Sequence, residues 1–112
     1  MREPTVVIGT PRERGAWLLI VDGPQAGRDF RLSSRMVIGS DPTRCDIILN
    51  DSTVSGEHAR IQREGSVFVI YDLASTNGTF VNGKRIYRHI LADEDEITVG
   101  RTTLVFKITA KR

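Results

Sequence analysis

Thr79-Phe80-Val81-Asn82-Gly83-Lys84-Arg85-Ile86 decides the fold class. Two β-forming runs flank an Asn-Gly pair. That pair supplies the two positive φ angles of a type I′ turn, which closes a two-residue hairpin. Just upstream, Val67-Phe68-Val69-Ile70-Tyr71-Asp72-Leu73 is the strongest β-propensity run in the chain. Downstream, Ile97-Thr98-Val99, Gly100-Arg101 and then Thr102 to Thr109 read as a second hairpin. Toward the N-terminus the pattern repeats. Ala16 to Val21 is a buried strand, stopped by the breaker-rich Asp22-Gly23-Pro24-Gln25-Ala26-Gly27. Phe30 and Leu32 alternate with Arg31, as on a half-buried strand. Met36-Val37-Ile38 is closed by Gly39, and Asp46-Ile47-Ile48-Leu49 by Asn50-Asp51. Glu57 to Gln62 alternates polar with small or apolar residues. Apolar residues do not recur at helical spacing, and Arg88-His89-Ile90-Leu91-Ala92 reads as a turn at most. Ten or eleven short strands with turn signals every few residues predict an all-β sandwich or barrel.

The 112 residues fit one domain, and a chain of this size buries roughly two-thirds of its unfolded surface. It needs no staple. Its single cysteine, Cys45, has no internal disulfide partner, and with only His58 and His89 beside it no four-ligand Cys/His zinc site forms. No metal and no cofactor is expected. The longest apolar run, Ala16 to Val21, is far short of the roughly 20 residues of a membrane span. Met1-Arg2-Glu3-Pro4 carries no apolar h-region, so no signal peptide is expected. These features point to a cytoplasmic, reducing compartment without direct membrane insertion. Residues 1–15 read as a mobile arm, in which Val6-Val7-Ile8 has the composition of an edge strand. Residues 16–109 read as the domain, and 110–112 as a tail or linker start.

Sixteen basic residues against fourteen acidic ones leave a net charge of +2. Thirteen of the sixteen are arginine and lie scattered, with no dense basic run, so nucleic acid is not the expected ligand. Arginine excess suits phosphate or carboxylate, whose two oxygens match the guanidinium fork. Catalytic motifs are absent: there is no Gly-x-Gly-x-x-Gly and no phosphate loop ending in Gly-Lys-Ser/Thr. Asp93-Glu94-Asp95-Glu96 lacks the bend glycine of a calcium loop and reads as solvated. Ser55 and His58 resemble a nucleophile and base, but strand alternation would put them on opposite faces, with no third member to orient the pair. Polar residues concentrate instead in three inter-strand loops: Gly39 to Arg44, Asn50 to Gly56, and Ala74 to Gly78. Their hydroxyls, amides and backbone N–H groups can ring an anion or an extended peptide. Taken singly, each loop is also a normal turn composition.

Together the loops and their flanks resemble the forkhead-associated (FHA) domain. The matching segments are Val37-Ile38-Gly39, Cys45-Asp46-Ile47-Ile48-Leu49, Val54-Ser55-Gly56-Glu57-His58-Ala59 and Asp72 through Gly83. Gly23 to Gly27 with Phe30 and Leu32 resembles the family's opening hairpin, and Asp95 to Gly100 its late turn. The resemblance runs from about Trp17 to Ile108. It implies an eleven-stranded antiparallel β-sandwich whose loops at one end bind phosphothreonine peptides, without catalysis. By the same resemblance Ser55 holds the phosphate and Asn77 the peptide main chain. Thr76 lies within reach of the phosphate, and Thr53 helps select the third residue after the phosphothreonine. His58 is implied to brace the loop of Ser55. Gly39, Gly78 and Gly83 are turn glycines, Asn82 completes the hairpin turn, and Cys45 is a core position.

Two positions depart from the family pattern. Ser40 stands where the family usually has Arg, and Gly56 where Arg, Lys or Asn is common. A phosphate carries about −1.5 to −2 charges at pH 7. A hydrogen bond to a charged partner contributes about 1.5–3 kcal/mol against about 1 for a neutral one. Arg44, in the loop of Ser40, is the cation placed to compensate, while Ser40 and the Gly56 N–H add neutral hydrogen bonds. The alternative is an FHA-like domain that assembles with partners without phosphate. Thr5 and Thr10 in the arm add a third expectation, that the phosphorylated arm folds onto its own pocket.

Overall fold

In this computed structural model residues 15–109 are described. Val6-Val7-Ile8, Thr5, Thr10 and the 110–112 tail lie outside them. The first strand begins at Gly15, the last residue assigned above to the arm. The eleven strands are β1 (Gly15–Asp22), β2 (Asp29–Arg31), β3 (Arg35–Gly39), β4 (Ile47–Ile48), β5 (Ala59–Glu64), β6 (Val67–Asp72), β7 (Thr79–Val81), β8 (Lys84–Ile86), β9 (Arg88–Ile90), β10 (Glu96–Val99) and β11 (Thr102–Thr109). They form a five-stranded sheet in the order β9-β6-β5-β3-β4 and a six-stranded sheet in the order β2-β1-β11-β10-β7-β8. All pairs are antiparallel except β3 with β4, which run parallel over two residues.

Alternation decides what faces inward. On β1, Ala16, Leu18 and Ile20 are buried, and on β11 Thr102, Leu104 and Phe106. Leu18 stands opposite Phe106 and Ile20 opposite Leu104 in the ladder. Ile61 and Ile70, also register partners, face them from the other sheet together with Ile38 and Ala59. The Phe68 ring meets Phe106 with centroids 5.8 Å apart and tilted planes, a favourable aromatic geometry.

Arg88-His89-Ile90 is a strand rather than a turn. It pairs with β6, Arg88 facing Tyr71 and Ile90 facing Val69. Glu57 and His58 belong to a loop, and β5 starts at Ala59. The acidic run is not simply solvated. Asp95 is buried and accepts from the Ala92 N–H at 2.8 Å and from Asn82 Nδ2 at 2.9 Å. Burial raises the Asp95 carboxyl, but these bonds and that from His89 outweigh it and leave it lowered. The hairpin turn has the geometry its sequence demands, with φ of 51° at Asn82 and 83° at Gly83.

Strand directions place the polar loops together. β3 ends and β5 begins at one end of the sandwich, where the 40–46 and 49–58 loops lie. β6 ends and β7 begins there too, around the 73–78 loop. Gly15 and Thr109 lie at the opposite end, beside a cleft of about 700 Å³ lined by Leu32, Arg63, Phe68 and Leu91 among others. Among the described residues no helix is long and apolar enough to cross a membrane.

Candidate functional site

His58 is the joint between two of the loops. It is fully buried, 0% exposed. Its Nδ1 accepts the Ser55 N–H at 3.1 Å, and its Nε2 lies 2.8 Å from the Gly78 carbonyl. An acceptor at Nδ1 and a carbonyl at Nε2 require the Nε2–H tautomer. Ser55 and His58 are therefore neighbours, contrary to the opposite faces expected of a strand, because both sit in a loop. The contact uses the serine backbone and not its hydroxyl, so no nucleophile–base pair results. The histidine braces the loop instead.

The Ser55 hydroxyl oxygen accepts the Thr76 N–H at 3.1 Å, and Asn77 Nδ2 donates to the Thr53 carbonyl at 2.8 Å. Ser40 joins through its N–H on the Ser55 carbonyl at 3.1 Å and its Oγ on the Val54 carbonyl at 3.0 Å. Ser40, Thr53, Ser55, Gly56, Thr76 and Asn77 thus form one surface. Among the described residues, the Ser55 and Thr76 hydroxyl protons and the N–H groups of Gly56 and Asn77 have no acceptor. Converging donors without acceptors suit an anion or a peptide carbonyl.

Arg44 is turned elsewhere. Its guanidinium pairs with Glu57 at 3.3 Å and Asp41 at 3.8 Å, and its side chain is 69% exposed. The Thr43 N–H and hydroxyl hold the Asp41 carboxyl below its usual range. Cys45 is half-buried rather than a core residue. Its thiol donates to the Gly56 carbonyl at 2.9 Å, and burial pushes its pKa up. Gly39 is demanded by close approach: a Cβ there would lie 2.1 Å from the Gly56 carbonyl oxygen and 2.7 Å from Cys45 Sγ. At Gly56 a Cβ would meet nothing nearer than 3.8 Å, so its missing side chain reflects no steric demand.

Three supports escaped the sequence reading. Asp51 accepts the Thr53 N–H at 2.8 Å, the Thr53 hydroxyl at 2.6 Å and the Arg101 N–H at 2.8 Å. These bonds, the Thr53 hydroxyl foremost, lower its pKa from 3.8 to about 2. Asp72 accepts the hydroxyls of Ser75 at 2.5 Å and Thr79 at 2.7 Å, and Ser75 Oγ in turn accepts the Gly78 N–H at 3.0 Å. Burial raises the Asp72 carboxyl, yet the Ser75 and Thr79 hydrogen bonds outweigh it and leave it lowered. Gln25 clasps the second loop by donating to the Ile48 carbonyl and accepting the Asn50 N–H. The Asp-x-Thr spacing of 51–53 is an Asx-turn signal legible in principle. The Asp72–Ser75 contact is local as well, whereas the partners of Gln25 are set by the fold.

The family model of the FHA domain matches residues 36–100, which include every loop residue of this surface. The chain belongs to the FHA domain family. It is 38% identical over 103 residues to the oxoglutarate dehydrogenase inhibitor of Corynebacterium jeikeium, covering 92% of this chain and 71% of that one. It is 40% identical over 93 residues to the glycogen accumulation regulator GarA of Mycolicibacterium smegmatis, covering 82% of this chain and 59% of that one. The chain thus spans little more than half the length of GarA. Among solved structures, one described under phosphothreonine-dependent FHA domain interactions superposes with a TM-score of 0.77 at 30% identity, covering 85% of this chain and 97% of that one. This FHA domain has serine at position 40 and glycine at position 56.

Proposed function

We propose that this FHA domain is a non-catalytic interaction module that binds phosphothreonine-containing proteins through the loops of Ser40, Ser55 and Asn77. One observation carries the reading: the acceptor-free donors of Ser55, Gly56, Thr76 and Asn77 share a surface braced by buried His58. Its likeness to a domain studied for phosphothreonine-dependent interactions supports it. In this reading Ser55 O–H and the Gly56 N–H take phosphate oxygens, Thr76 adds a hydroxyl, and Asn77 exchanges the Thr53 carbonyl for the peptide main chain. Thr53 borders the residues that follow the phosphothreonine. Arg44 exchanges Glu57 for phosphate. Thr5 and Thr10, when phosphorylated, are ligands the chain itself carries.

A phosphate-independent assembly role is favoured by one feature: Arg44 already has two carboxylate partners, and Ser40 and Gly56 bring no charge. Titration of the labelled domain with phosphothreonine, phosphoserine and unmodified versions of one peptide pool separates the two. Amide shifts confined to residues 39–44, 50–56 and 74–78 and specific to phosphothreonine are expected. Equal responses to modified and unmodified pools would establish phosphate-independent assembly instead. Phosphopeptide affinity unchanged in Arg44→Ala would remove Arg44 from the pocket.

A further inference from the structure

We propose that the peptide surface continues past Asn77 onto Arg85 and Tyr87, and that Arg85 selects ligands with an acidic residue close to the phosphothreonine. The inference rests on the phosphothreonine reading and deepens it.

Arg85 lies on β8, opposite Phe80 of β7, and its side chain crosses Gly78. A Cβ on Gly78 would stand 2.9 Å from Arg85 Nε and 3.1 Å from Arg85 Cζ. The guanidinium therefore lies against the backbone of the residue that follows Asn77. Its Cζ also sits 5.6 Å from the centroid of the Tyr87 ring, within cation–π range. The glycine and the ring hold it from two sides. Among the described residues no carboxylate or carbonyl accepts its N–H groups. Arg44, Arg88 and Lys107, by contrast, each pair with a carboxylate. An exposed guanidinium held in place with its donors free loses little side-chain freedom when it meets an acceptor.

The surroundings fit a contact surface. Tyr87 is 68% exposed. Exposed tyrosine stacked with arginine is the composition enriched at interface centres. Adjacent Cα atoms are about 3.8 Å apart, so the guanidinium stands within about 9 Å of the Asn77 Cα. An extended peptide advances about 3.3 Å per residue. The side chain read by Arg85 is thus within about three places of the one whose main chain Asn77 holds. A carboxylate completes the guanidinium fork bidentately, which neutral side chains do not. This selection is separate from the phosphate pocket, since it lies on the Gly78 side of Asn77.

The test uses one phosphothreonine peptide of otherwise neutral side chains, with Asp or Asn placed singly at each of the three positions on either side. Affinities are measured by fluorescence polarisation for the wild type, Arg85→Gln and Arg85→Lys. For the wild type, Asp at one or two adjacent positions is expected to tighten binding about three- to fivefold over Asn, the range of an exposed ion pair. The preference should vanish in Arg85→Gln, persist in part in Arg85→Lys, and fade in 0.5 M salt by about the same factor. The Arg85 Nε–H resonance of the wild type gives a readout free of any folding effect, and it should shift with the Asp peptide and not with the Asn peptide. Phosphopeptide binding without an acidic preference, or a preference that survives Arg85→Gln, overturns this inference and leaves the phosphothreonine reading intact. Failure of every phosphopeptide to bind overturns both.

Discussion

Ser40 has its hydroxyl committed to the Val54 carbonyl at 3.0 Å. Ser40→Arg gives up that neutral bond and adds a charged donor beside Ser55. A charged hydrogen bond exceeds a neutral one by roughly 1–1.5 kcal/mol, so phosphopeptide affinity should rise about tenfold by calorimetry. Unchanged affinity would mean that the 40–44 loop does not face the phosphate. Asp51 carries a prediction of a different kind. Its pKa falls from 3.8 to about 2 on folding, so the folded state holds its proton less tightly than the unfolded state. Its contribution to stability is therefore complete above about pH 4 and lost as pH falls toward 2. Denaturation of wild type and Asp51→Asn across pH 2 to 7 should show the wild type more stable at neutral pH, with the gap closing between pH 4 and 2. A gap independent of pH would place the effect in hydrogen-bond geometry alone.

At the scale of elements, the site depends on how closely two segments approach. The end of β3 lies against the carbonyl of Gly56, leaving no room for a methyl group on Gly39. That approach aligns the Ser40 N–H on the Ser55 carbonyl and the Asp41 N–H on the Gly56 carbonyl. Gly39→Ala must push the segments apart, at about 1–3 kcal/mol for an overpacked position. The expected result is a lower melting temperature and a loss of phosphopeptide binding of tenfold or more, with amide shifts concentrated in 39–45 and 54–58. Shifts elsewhere in the sheets, with the loops unmoved, would contradict the coupling. The same scale shows where sequence was legible. β1, β6 and β11 announce themselves through runs of apolar and β-branched residues, and the β7–β8 hairpin through Asn82-Gly83. β9 does not. Arg88-His89-Ile90 has no alternating apolar pattern and is a strand because β6 offers it a free edge. Likewise Ser55 and Asn77 were legible as polar loop residues, while Asp51 was not singled out. Its foremost partner, Thr53, is local and fits an Asx-turn, but the Arg101 N–H that also lowers it lies 50 residues away and is supplied only by the fold.

In the whole molecule, Leu49 and Val54 root the second loop in the core cluster, but the far end of the core lies away from the loops, which makes its energetics separable in experiment. Phe106 is fully buried, stands opposite Leu18 and meets the Phe68 ring. It lies toward the end where Gly15 pairs with Thr109, whereas the loops of Ser55 and Asn77 cap the other. Phe106→Ala removes a large side chain from a close-packed interior, at a cost of about 3–5 kcal/mol. Domains of this size have total stabilities of roughly 5–15 kcal/mol, so much of the margin goes. The melting temperature should fall by at least about 12 °C, since 1 kcal/mol corresponds to about 4–8 °C for a domain near 100 residues. At a temperature where the variant is still folded, its phosphopeptide affinity should stay within about twofold of wild type. The Asp51, Asp72 and His58 hydrogen bonds hold the loops to the sandwich and contain no atom of Phe106. Gly39→Ala is the converse case, in which binding falls together with stability. A folded Phe106→Ala domain with affinity reduced tenfold or more would show that core packing and the loops form one cooperative unit.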